Sequence, residues 1–185
     1  MKRLIQKKLK KTKENLYYIL SALMIGLIVG GIDALFGRVL IAITDFRGRY
    51  IQIFIWFLPI AGLFICWMYH RFNEMSLKGM TLVLETAQGK RADIPLALVP
   101  LVMVGTWITH LFGGSAGREG VAVQIGATLS HWFARRFKFA DNRTILLIAG
   151  MAAGFGGLFQ TPFAAVFFAM EVVVTGKMLY QAFLP

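Results

Sequence analysis

The sequence predicts an all-α integral membrane protein, on three observations. Apolar residues make up 57% of the 185-residue chain and the mean hydropathy is +0.65, so a soluble domain of this length would have to expose much of its apolar surface. Two stretches, 16–44 and 51–69, reach or approach the roughly 20 apolar residues a helix needs to cross a hydrocarbon core of about 30 Å. The formal charge is +11, yet the basic residues lie at the start of the chain and between the apolar runs, where they flank membrane segments. That placement argues against a nucleic-acid partner.

In chain order, "MKRLIQKKLKKTK" opens a basic arm, residues 1–14, with no short apolar core or small-residue cleavage site behind it. It reads as a cytoplasmic flank rather than a signal peptide. Residues 15–185 form one membrane domain. "DFRGRY" at 45–50 predicts a polar turn between the first two spans, and "HRFNEMSLKG" at 70–79 begins a polar stretch that ends near "QGKRADIP" at 88–95. Between these, "MTLVLETA" at 80–87 is too short to cross and predicts a partial helix of about two turns. Residues 95–112 are a further apolar run. "VAVQIGATLSHWF" at 121–133 is too short to cross unless it extends into its neighbours, and the basic connector "ARRFKFADNR" follows on the same side as the arm. The run 144–175 is interrupted by "GFGGLFQTP" at 154–162, which predicts two half-length helices meeting inside the bilayer. Such breaks are tolerated at membrane depth only where they are buried in protein or line a cavity, as in transporters. Glycines four residues apart at 26–30, 113–117 and 150–154 also fit close helix packing, the favoured reading for 26–30. Cys66 is the single cysteine, so a disulfide framework is excluded.

"GGSAGREGVAVQIG" at 113–126 places Arg118 and Glu119 inside this apolar chain. A carboxylate at membrane depth costs about 2.5–3.5 kcal/mol on insertion scales, so Glu119 calls for a cavity or a partner. A helix starting near Gly120 leaves its first amides without carbonyl partners, and with the macrodipole these form an electropositive pocket. An anion fits there, and so does the Glu119 carboxylate, which makes Glu119 a proton-sensitive gate. Arg118 and Glu119 point about 100° apart on a helix, so each is expected to have its own partner.

An enzyme reading competes with this one. "GGSAG" matches G-x-S-x-G with Ser115 as nucleophile and His110 or His131 as base, which suggests an intramembrane serine hydrolase. The elbow needs a preceding strand, however, and 95–112 reads as helix. His70, His110 and His131 have no neighbours at metal-ligand spacing, so neither a metal nor a cofactor is expected.

"GREGVAVQIG" at 117–126 and "AGMAAGFGGLFQTPFAAVFFAMEV" at 149–172 resemble the CLC family of chloride channels and proton-coupled anion antiporters. The resemblance implies a CLC-type fold with re-entrant, broken helices, in which Glu119 is the external gating glutamate. It places the anion-binding positions at Gly79, Met80 and Thr81 and at Gly117, Arg118, Gly120 and Val121. The family usually has Gly-Ser-Gly-Ile-Pro upstream, with a serine hydroxyl on the central chloride, where this chain has "KGMTLVLE" and Met80 opposite the serine. That replacement resembles the fluoride-exporting bacterial branch. Val172, after Glu171, stands where many chloride/proton antiporters carry a second acid, and the fluoride branch lacks that acid too. The implied partners are an inorganic anion, protons and the lipid bilayer, in a multi-pass homodimer of a bacterial plasma membrane. Fluoride/proton antiport is the leading reading, and chloride channel or chloride/proton exchange the alternative. The resemblance covers the first of two inverted-topology halves, so the chain, ending in "QAFLP", reads as a fragment or truncated gene product that does not transport alone.

Overall fold

The computed structural model describes residues 2–91, 93–137 and 143–173, with side chains from residue 16 onward. Among the described residues there are seven α-helices and no strand: α1 (Lys2–Phe54), α2 (Leu58–Phe72), α3 (Met80–Ala87), α4 (Leu98–Leu111), α5 (Arg118–Arg136), α6 (Arg143–Phe159) and α7 (Pro162–Val172). Short 3-10 turns at Ile55–Phe57 and Glu74–Lys78 precede α2 and α3. The side chains of the basic arm, most of the connector before Arg143 and the tail from 174 lie outside the described residues.

The predicted turn at 45–50 is a correction. The backbone stays helical through Arg49 and leaves the helix at Tyr50 (φ −129°, ψ 17°) before resuming to Phe54. Polar residues need no break where a neighbour accepts them, and Arg47 Nη1 donates to the His110 carbonyl on α4 at 3.3 Å. The second helix begins instead where Pro59, which lacks an N–H, fits the first turn of α2. The two expected spans thus merge into one apolar helical stretch, Leu16–Phe72, long and apolar enough to cross a membrane; α4, α6 and α7 are shorter apolar helices. The partial helix expected at 80–87 is α3.

α1 buries one stripe, Ser21, Ile25, Val29, Asp33, Phe36 and Leu40, and exposes the apolar residues between, with Leu27 at 71%. An outer surface of Leu, Ile and Phe is unfavourable in water and suits lipid or further protein. At 26–30 the two glycines differ from a tight seam in one respect, that nothing lies within 4 Å of a methyl built on either, while the Gly30 backbone faces Gly157 of α6.

Close packing occurs instead between α5 and α6. A methyl on Gly126 would fall on the Gly150 carbonyl oxygen, and one on Gly154 on the Ala122 carbonyl oxygen, both nearer than real Cβ contacts come. Glycine lets these backbones touch, as "GMAAG" at 150–154 suggested. Three glycines of α6 face three different helices: Gly154 faces α5, Gly156 faces Ala165 of α7, and Gly157 faces Gly30 and Asp33 of α1. These glycines therefore do not break the run at 154–162. The break is Gln160, held at φ +56°, with Thr161 before Pro162, the first residue of α7. A residue preceding proline is excluded from the helical region, which fixes the interruption there.

Candidate functional site

The glycine loop closes α4 and opens α5. Gly113, at φ +84°, donates its N–H to the His110 carbonyl, and the Gly114 N–H reaches the Thr109 carbonyl at 2.8 Å. This is a Schellman ending, which requires glycine at its left-handed position. Ser115, Ala116 and Gly117 then lead into α5, whose N-cap is Gly117 in extended conformation with no side-chain cap. The helix starts at Arg118, two residues earlier than expected, so Glu119 lies within its first turn. The free amides at that end carry the positive pole of the helix.

The Glu119 side chain curls back over this N-terminus: a methyl on Gly117 would lie 3.0 Å from Glu119 Oε2. Arg118 turns elsewhere, its guanidinium carbon 5.9 Å from the centre of the Phe159 ring at the end of α6. That distance allows a cation–π contact. The adjacent charged residues thus have separate surroundings.

Two cavities flank this segment. The outer one, of about 630 Å³, is lined by Glu119, Arg118, Ser115 and His110, with Thr44 and Asp45 of α1. The inner one, of about 320 Å³, is lined by Gly79, Gly117, Val121, Gln124, Ser76, Thr106 and Tyr69 among others. Ala116 and Gly117 border both. Gly79 is the N-cap of α3 at φ +51°, ψ −124°, a backbone that favours glycine. The N-termini of α3 and α5 therefore converge on one chamber. The inner chamber brings together Gly79, Gly117 and Val121; Arg118 and Glu119 line the outer one, and Met80, Thr81 and Gly120 line neither. Met80 packs partly buried against the hydrophobic core, and Thr81 is exposed.

Gln124 is a member of the chamber that the sequence reading passed over. It is buried, its Oε1 has no hydrogen-bond partner, and its amide lies between Gly79 and Gly120. A polar residue one turn after Gly120 in "VAVQIG" was the available signal. The Ser76 hydroxyl also reaches this chamber but donates to Asn73 Oδ1 at 3.1 Å.

Ser115 and His110 line the same outer cavity, with His110 Nδ1 on the Thr106 carbonyl at 2.9 Å. Ser115 nevertheless lies in a helix-to-helix loop without a strand before it, so the elbow that the hydrolase reading requires is not formed. His131 pairs with Asp93 at 3.3 Å, but its position on α5 is about 20 Å along the helix from Ser115. That far cluster also holds Arg135 against Asp93. Burial alone would raise the Asp93 carboxyl, but the hydrogen bond and charge of Arg135, with His131 beside it, bring it below the usual carboxylate value.

The family model described as voltage gated chloride channel matches residues 61–185, more than half of the chain. The chain belongs to the CLC family of voltage-gated chloride channel proteins. This makes it a membrane protein of an ion-transport family. It is 36% identical over 163 residues to a chloride/fluoride channel protein of Pseudomonas syringae pv. tomato, covering 88% of this chain and 36% of the relative. To an H(+)/Cl(-) exchange transporter ClcA of Citrobacter koseri it is 27% identical, covering 91% of this chain and 38% of that protein. A crystal structure of a CLC-type fluoride/proton antiporter superposes with a TM-score of 0.87 at 48% identity, covering 90% of this chain and 42% of that one. The chain thus spans less than half the length of these CLC relatives.

Proposed function

We propose that this chain forms the N-terminal half of a CLC subunit, with residues 1–14 as a basic arm and 15–185 as the membrane half, and that the complete homodimer exchanges fluoride for protons across a bacterial plasma membrane. The observation that carries this reading is the Glu119 carboxylate folded back over Gly117 at the start of α5, whose uncapped amides would donate hydrogen bonds to an anion. In the ionised state Glu119 competes with the anion, and in the neutral state it vacates the site. Gly79, Gly117 and Val121 border the anion; Met80, Thr81 and Gly120 contribute helix-start backbone, Arg118 steadies the turn, and Gln124 supplies a side-chain donor. Names of relatives that include both fluoride and proton support the choice of substrates, while the exchanger from Citrobacter koseri keeps chloride as the second reading.

Met80 supplies the test. The Met80 side chain packs against the core, but serine is short enough to turn its hydroxyl to the start of α3 beside Gly79. Met80→Ser is expected to shift the fluoride/chloride flux ratio of the complete subunit toward chloride by about tenfold, the worth of one hydrogen bond to a charged group. Met75→Ser, at an exposed position before α3, is expected to leave the ratio unchanged. Equal ratios in both variants would make chloride the better reading. Ser115→Ala is expected to change flux by less than about twofold, the range of an exposed substitution. Esterase activity in the parent that disappears in this variant would restore the enzyme reading.

A further inference from the structure

A second acid lies inside the apolar part of this chain. Asp33 is 1% exposed within the Leu16–Phe72 stretch, and neither of its oxygens has a hydrogen-bond partner. It sits on the buried stripe of α1 between Val29 and Phe36, facing α6, where a methyl built on Gly157 would lie 3.5 Å from Asp33 Oδ2. An isolated carboxylate so placed would carry a large desolvation penalty.

The neighbour on α6 fixes the sign of the preference. Gly157 belongs to the last turn of α6, which ends at Phe159. The last four carbonyls of an α-helix have no intrahelical donors, and that end carries the negative pole of the macrodipole. A carboxylate there meets lone pairs of its own sign, whereas a carboxylic acid offers a donor to one of those carbonyls. The charged and titratable groups on the elements packed against α1 are Arg143 on α6, His110 on α4, and Arg118, Glu119, His131, Arg135 and Arg136 on α5. On α1 itself the nearest are Arg38 and Asp45. None of these forms an ion pair or hydrogen bond with Asp33.

We infer that Asp33 is a proton-binding site within the membrane, a neutral carboxylic acid whose O–H donates to a free backbone carbonyl in the last turn of α6. The same turn ends at Phe159, the ring under the Arg118 guanidinium. Loss of the proton therefore sets a carboxylate against a helix end whose Phe159 ring lies by the guanidinium of Arg118, the residue before Glu119 on α5. The site is independent of the anion carried, since it rests on burial and on the α6 terminus alone.

The test is infrared spectroscopy of the complete subunit in bilayers, with and without carbon-13 aspartate. The expected result is a protonated-carboxyl C=O band at neutral pH that shifts on labelling, disappears in Asp33→Asn, and persists in Asp45→Asn, Asp93→Asn and Asp141→Asn. If Asp33→Asn does not fold, Asp33→Glu takes its place: the protonated-carboxyl band is then expected to lose its response to aspartate labelling, and a band that keeps the response overturns the assignment. Absence of any labelled protonated-carboxyl band at neutral pH, or its survival in Asp33→Asn, would overturn the assignment.

Discussion

Glu119→Gln in the complete subunit is expected to carry anions at a rate that no longer depends on pH and to move no protons with them. Glutamine keeps the length and shape of the side chain, so the fold over Gly117 remains available. It cannot ionise, so it cannot alternate between an anion-like state that occupies the helix N-terminus and a neutral state that leaves it. A positioned proton-transferring group is worth about 100-fold to 10,000-fold, and loss of proton movement is expected on that scale. The measurement is paired anion and proton flux from liposomes across a pH series. Stoichiometric proton movement in the variant would remove Glu119 from the gate.

The largest structural effect is expected at Gly126. A methyl there meets the Gly150 carbonyl, which is backbone, so the clash is relieved only by separating α5 from α6. Gly126→Ala gains up to about 1 kcal/mol of helix propensity, yet it is expected to be strongly destabilising, because overpacking of about 1–3 kcal/mol or more applies where the neighbour cannot turn aside. Gly26→Ala is the control: it makes the same exchange on α1 with nothing within 4 Å and is expected to be neutral or slightly stabilising. Thermal unfolding in detergent distinguishes the two. Equal melting temperatures for Gly126→Ala and the parent would mean that the two backbones do not touch.

The helical class and most elements were legible because apolar length and breakers report directly on helices in lipid. "MTLVLETA" could be read as a partial helix from its length alone, and Pro162 marked a helix start. Glycine was ambiguous. The same four-residue spacing occurs in "GLIVG", where a methyl on either glycine would meet nothing within 4 Å, and in "GMAAG", where it would meet the backbone of α5. Which face of a helix meets a partner depends on tertiary arrangement, and spacing does not encode it. Glu119 was legible because a carboxylate is costly in an apolar run. Asp33 satisfies the same criterion in "GGIDALF", but in an unbroken apolar run with no second charge beside it, it was passed over. Gln124 was hidden because one amide in an apolar helix has several ordinary readings. Only the convergence of α3 and α5 gives it a place in the chamber.

Three of the glycines of α6 bear on how any gate here can move. At about 100° per residue, Gly154, Gly156 and Gly157 point in directions roughly 0°, 200° and 300° around the helix axis, each against a different neighbour. A turn of α6 about its own axis by even one residue would swing bulky side chains into backbones that only hydrogen atoms now face. The helix is keyed like a shaft with three slots, and rotation is the one freedom it lacks. If Glu119 is the gate proposed above, its opening and closing are expected to use its own side chain and the short 112–117 loop rather than a turn of α6. Selection for speed would then act on a few torsions and leave the helix bundle unchanged.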